Sequence, residues 1–222
     1  MPRDATETRS RLLAEAERLF AEQGIWRVRV QDIVAAAGQK NSSALSYHFG
    51  SRRGVLDSIL REHGEPIDQE RGEVWTALDD DSTPVLIEAL IQPLTRRLST
   101  SSGRCYLRIV AQLSADFSRW DFDPTHVPAN LNAILRLLRD RTAVTIRSQR
   151  DERVLGMIQL MTVSLAERAR RIEAGDSLAT DAEVYAANLV DMLVGVIEAP
   201  ARAASVATIA DQLFAAMTDD PT

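Results

Sequence analysis

One stretch, VQDIVAAAGQKNSSALSYHFGSRRGVL at residues 30–56, limits the fold more than any other. Apolar residues recur at helical spacing on both sides of Gly38: Ile33, Val34 and Ala37 before it, Leu45 and Phe49 after it. A glycine just past a helical run adopts the left-handed conformation that stops a helix. Asn41, Ser42 and Ser43 are short polar residues suited to cap the next one. Gly50 then ends that helix, and Ser51 is placed to cap a third. Two short helices around a tight turn, followed by another helix, make a helix-turn-helix, which implies a DNA-reading head.

The rest of the chain repeats the helical period without strand alternation or internal repeats. Helices are expected at residues 5–23, 30–37, 43–49, 52 to about 75, 84–98, 104–117, 128–147, 152–173, 181–197 and 205–218. Leu12, Leu13, Ala16, Leu19 and Phe20 form one face of the first, with Asp4 and Glu7 spaced as a capping box. Ile25 and Trp26 are expected to plug the core beneath the second. The polar run 99–103 and the segment 118–128 are expected breaks, and Asp79, Asp80 and Asp81 a solvated loop. The fold class is all-α, with a head over 1–62 and a helical body over 63–222.

Composition excludes several functions. No apolar run approaches the roughly 18–20 residues that span a bilayer, and residues 1–12 hold no apolar signal segment. A cytoplasmic protein without membrane contact is expected. Cys105 is the sole cysteine, so no internal disulfide forms, and its apolar setting suits a buried thiol. His48, His63 and His126 are the only histidines; none has metal-ligand spacing, and no serine-elbow or Cys/His pair is present. No metal, cofactor or enzymatic activity is expected. The net charge of −6 is uneven: residues 1–63 sum to +2 and the remainder to −8. An acidic body would repel DNA and leave contact to the head.

Within the head, Gln39, Lys40, Asn41, Ser42 and Ser43 crowd the N-terminal end of the second helix of the motif. All donate hydrogen bonds, and that end of a helix favours anions. Gln39 and Asn41 suit adenine; Lys40 suits guanine or a phosphate.

The order of helices, the Ala36-Ala37-Gly38 turn, Leu45-x-Tyr47-His48-Phe49 and Gly50-Ser51-Arg52 resembles the TetR family of transcriptional regulators, over about residues 6–62. Three features depart from its usual pattern. The interval from Gly38 to Phe49 is one residue longer, Arg29 stands where Thr or Ser usually opens the second helix, and Ser46 replaces an aromatic. The resemblance implies that Tyr47 and Arg52 grip phosphates, with Arg29, Ser46 and His48 beside them on the DNA-binding surface. It implies a homodimer on palindromic double-stranded DNA, built through the last two long helices, where Ala186, Ala187, Gly195 and Ala199 permit close approach. It also implies a repressor released by a small, largely apolar effector. The effector pocket would be lined by Trp75, Tyr106, Val110, Leu113, Phe117, Trp120, Leu135, Met157 and Met161. A regulator governed by a protein partner, or an all-α enzyme, are the other classes left open.

Overall fold

A computed structural model describes residues 2–41, 43–115 and 127–201. The helix expected at 205–218, and the residues Ser42, Phe117, Trp120 and His126, lie outside this description. Every regular element among the described residues is a helix: α1 (Pro2–Gln23), α2 (Val30–Ala36), α3 (Ser43–Phe49), α4 (Arg52–Leu78), α5 (Thr83–Arg96), a 3₁₀ turn (Arg97–Ser99), α6 (Ser101–Ala115), α7 (Ala129–Asp140), α8 (Arg147–Ala174) and α9 (Ala182–Glu198). The all-α expectation holds.

In the head, α1 packs against α2, α3 and α4. Leu12, Leu13, Ala16, Leu19 and Phe20 are all buried, as their spacing requires, and meet Ile33, Val34 and Leu45 from α2 and α3. The helix begins at Pro2, upstream of the expected Asp4–Glu7 cap, and Glu7 instead accepts from Arg11 one turn on at 2.5 Å. Only one of the two expected plugs is internal. Ile25 is fully buried, Trp26 is exposed, and Val28 takes the second core position. Gly24 at φ 99° opens a turn that brings Ile25 and Val28, three residues apart, inward and leaves Trp26 and Arg27 outside.

In the body, α6 packs along α8, α5 lies between α4 and α9, and α7 bridges α4 and α8. One apolar cluster runs without a break from Leu12 in the head to Ile197 in α9. The 52-onward helix extends to Leu78, three residues beyond expectation, and passes unbroken through residue 62. A boundary drawn there falls inside a helix.

Two breaks differ from expectation. The polar run 99–103 shrinks to Thr100, the one extended residue, whose Oγ1 accepts from Gly103 N at 3.1 Å and lets α6 start at Ser101. The helix expected over 128–147 stops at Asp140. Residues 142–146 hold Thr142, Val144, Thr145 and Ile146, whose β-branches disfavour helix. Thr142 Oγ1 donates back to the Arg139 carbonyl at 3.0 Å and helps close the end. The next helix therefore opens at Arg147, five residues before the expected start.

Candidate nucleic-acid interface

The turn of the motif is built by backbone geometry. Gly38 sits at φ 68°, its N–H donates to Ala35 O at 3.0 Å, and Gln39 N donates to Val34 O at 2.9 Å. These bonds satisfy the last carbonyls of α2 and stop it. The same left-handed glycine device ends α3, where Gly50 lies at φ 73°. Ser51 then caps α4, its Oγ accepting from Gly54 N at 3.0 Å.

The start of α2 is closed from within. The Arg29 N–H donates to Asp32 Oδ2 at 2.7 Å, so the carboxylate three residues on holds the helix entry. Arg29 occupies the cap position, yet its side chain is not needed to cap and stays exposed. This accounts for an arginine where a hydroxyl residue would be usual.

α3 buries a single residue, Leu45. Its N-terminal side is polar and open: Lys40, Asn41, Ser43, Ser46 and Tyr47 are exposed, and Gln39 is half-buried. Tyr47 is 82% exposed, an unusual state for a ring with so much apolar area. His48 is half-buried and meets Tyr47 edge-on, with ring centroids 5.0 Å apart. Phe49 is half-buried too, and the Arg9 guanidinium lies 5.1 Å from its ring centre.

Two of the expected contact residues are partly engaged inside the protein. Asn41 Oδ1 accepts from Ser43 N at 2.9 Å and so supports the start of α3. Held this way, Asn41 keeps both amide N–H groups free but has one lone pair of its oxygen already used, and the oxygen's direction is fixed by Ser43. A bidentate grip on adenine needs the oxygen and an N–H together; donation to a purine acceptor or a phosphate needs only the N–H. Arg52 donates through Nη1 to the Ile25 carbonyl, and its guanidinium lies 5.9 Å from the Phe20 ring centre. Arg53, beside it, is exposed and bonds Asp57 at 3.0 Å.

Residues 12–59 match the model of the family described as bacterial regulatory proteins, tetR family. Residues 12–59 form a tetR-family head. The matched residues run from the middle of α1 to the first turns of α4, within the unit just described. The crystal structure of a probable transcriptional regulatory protein, RHA5900, is similar over 96% of this chain and 98% of that one, at 22% identity and a TM-score of 0.44. No curated protein sequence matches the chain.

Behind the tetR-family head, the expected pocket residues are divided. Tyr106, Leu113, Met157 and Met161 are buried in the main core, and Trp75, Val110 and Leu135 pack against it. Trp75 also donates through Nε1 to Asp81 Oδ1 at 2.8 Å. A cavity of about 490 Å³ lies elsewhere, between the N-terminal half of α8 and the end of α9, lined by Val144, Gln149, Glu152, Arg153, Val196 and Pro200 among others. None of the expected residues borders it.

Cys105 is buried, and burial with the nearby Glu17 and Glu173 carboxylates pushes its thiol up to about 11. Such a thiol is inert. No three His, Cys, Asp or Glu residues converge on a metal position among the described residues, and no described helix is long and apolar enough to cross a membrane. Ser102, His63 and Glu17 do meet, but Ser102 Oγ and Glu17 Oε1 both face His63 Nε2, at 3.3 Å and 3.4 Å. A serine relay needs the acid on the opposite ring nitrogen.

Sequence reading missed Gln112 of α6, whose side chain bonds Ile25 N–H and the Phe20 carbonyl in the head. A lone glutamine on a helix carries no local signal for a partner far away in sequence.

Proposed function

We propose that the protein is a homodimeric repressor whose two heads read a palindromic operator, and that a small, largely apolar effector releases it. The observation that carries the reading is the open polar end of α3, where Lys40, Asn41, Ser43 and Ser46 surround a Tyr47 that is 82% exposed. A helix that buries only Leu45 leaves its remaining surface for a partner. In this reading α3 enters the major groove. Gln39, Lys40, Asn41, Ser42 and Ser43 face base edges or phosphates, while Arg29, Ser46, Tyr47 and His48 flank the backbone. Arg52 acts on DNA mainly by holding the turn before α2, with its remaining N–H groups available to a phosphate.

Dimerisation through α8 and α9 is supported by what those helices leave uncovered. Leu155 and Val163 on α8, with Val184 and Met192 on α9, are four of the seven large apolar or aromatic side chains exposed among the described residues. Each pair is eight residues apart, two turns along one face. Ala187 and Gly195 are exposed on the same helix and let a partner helix approach closely.

The effector is assigned to the apolar cluster of Trp75, Tyr106, Val110, Leu113, Leu135, Met157 and Met161, with Phe117 and Trp120 beyond the described residues. These side chains lie where α4, α6, α7 and α8 converge. A compound entering there would part α6 from α8 and act by favouring a head spacing that fits the operator badly.

Footprinting on the DNA upstream of the protein's own gene tests the reading. A protected palindrome with half-sites about one turn apart, weakening steeply as salt rises, is expected. Absence of protection at low salt would overturn it.

A further inference from the structure

Two polar contacts join the head to the body away from the covalent link. Near the end of α6, the Gln112 side chain reaches the turn that follows α1. Its Oε1 accepts from Ile25 N–H at 2.8 Å, and its Nε2 donates to the Phe20 carbonyl at 3.0 Å. Ile25 is fully buried, so its N–H depends on an internal acceptor. At the other end of α6, Ser102 Oγ donates to Glu17 Oε1 at 2.8 Å. Glu17 is buried, and His63 of α4 completes the cluster, its ring stacked on Tyr106 at 4.6 Å.

Ser102 and Gln112 are ten residues apart on α6, or ~15 Å along its axis. One contact would be a pivot; two at that separation fix an orientation. The covalent link is poorly made to do this alone. Between head and body, α4 carries Gly64 and Pro66, and Pro66 has no N–H to give the Glu62 carbonyl.

The contact continues in both directions. Ile25, held at its N–H by Gln112, is held at its carbonyl by Arg52, the first residue of α4 after α3. On the body side, Ser114, two residues past Gln112, shares a 2.6 Å hydrogen bond with Thr162 of α8. Gln159 of α8 donates to the Ser114 carbonyl at 3.2 Å. A line of bonded groups thus runs from α8 through α6 to the residue that opens α4.

We propose that Gln112 is a positioning residue for DNA binding: it fixes the head on α6, so that the spacing of the two heads follows α6. This rests on the dimeric DNA reading above. The test is selection of binders from a pool of random-sequence duplexes by the full-length protein and its variants. The unmodified protein should enrich paired half-sites at one spacing. Gln112→Ala should enrich the same half-site at several spacings. It should bind the duplex preferred by the unmodified protein about tenfold more weakly, with affinity for a single half-site unchanged. Gln112→Glu keeps the acceptor for Ile25 and loses the donor to Phe20, and should fall between; it also serves if the alanine variant does not fold. Both variants enriching the same single spacing, with affinity within about twofold of the unmodified protein, would overturn the inference alone. No enriched sequence with the unmodified protein would overturn the DNA reading and this inference with it.

Discussion

α3 and α6 are both amphipathic, but they spend their side chains in opposite ways. α3 buries Leu45 alone out of seven residues, whereas α6 buries eight of fifteen. A seven-residue helix is too short to persist by itself in water. It holds here because Gly38 and Gly50 stop the chain at each end, Asn41 supports its start, and Leu45 anchors it to the α1 face. Its other side chains are left open to a partner. The side chains of α6 are used within the molecule, including the polar ones: Gln112 on the head, Ser114 on α8, Arg108 on Glu173 at 2.5 Å. A surface helix with minimal anchorage suits the proposed reading role, and a helix with polar contacts at both ends suits the proposed positioning role.

The sharpest way to break this contrast is to attack the anchors. Leu45→Ala and Ile109→Ala each remove a fully buried side chain and should each cost about 3 kcal/mol in denaturant unfolding. The first should also abolish DNA binding, because Leu45 is the one fully buried side chain of α3, with Ala44 and Phe49 only partly buried beside it. If Leu45→Ala left stability unchanged, α3 would not be held as described.

Next in size is Tyr47→Ala. With its ring 82% exposed, the change should leave the unfolding midpoint where it is and weaken DNA binding about tenfold, across sequences alike. A shift in the midpoint with affinity preserved would reverse the roles assigned to the two helices. Asn41→Ala should do a little of both. Loss of the bond to Ser43 N should destabilise the protein by about 1 kcal/mol in the same denaturant measurement. In the duplex selection it should also relax base preference at one position.

At neutral pH the smallest effects belong to the buried groups of α6. Burial raises the Cys105 thiol to about 11 and the Tyr106 phenol to about 12. A group raised on folding stabilises the protein fully below its unfolded value and loses that contribution as pH climbs through the folded value. Stability should therefore be insensitive to these groups at pH 7 and decline from about pH 9 to pH 12, seen in urea midpoints. Cys105 should resist a thiol reagent at pH 7 until the protein unfolds; labelling as fast as a free thiol would contradict its burial.

Much of the head was legible because its determinants are local. Gly38 and Gly50 take positive φ as their places past a helical run require, and α3 begins and ends at the residues expected. The errors arise where long-range packing decides. Trp26 and Val28 are both apolar, and only the turn set by Gly24 places Val28 inside. Residues 142–146 continue a helical pattern of apolar spacing, but their β-branched side chains and the Thr142 bond to Arg139 close α7 early. The bond of Arg52 to Ile25, 27 residues earlier, is likewise invisible in sequence, and its expected phosphate contact stands as a proposal beside it. The same holds for Gln112, whose partner at Ile25 lies 87 residues away.

In the proposed reading the N-terminal end of α3 meets DNA. Lys40 is the only lysine in the chain and is exposed at that end, so amine acetylation reports directly on the site. Mass spectrometry of Lys40 labelling, with and without bound upstream DNA, is the most direct measurement. Protection of Lys40 on DNA binding, reversed at high salt, is the predicted result. Unchanged labelling in a complex shown to form by mobility shift would contradict the account.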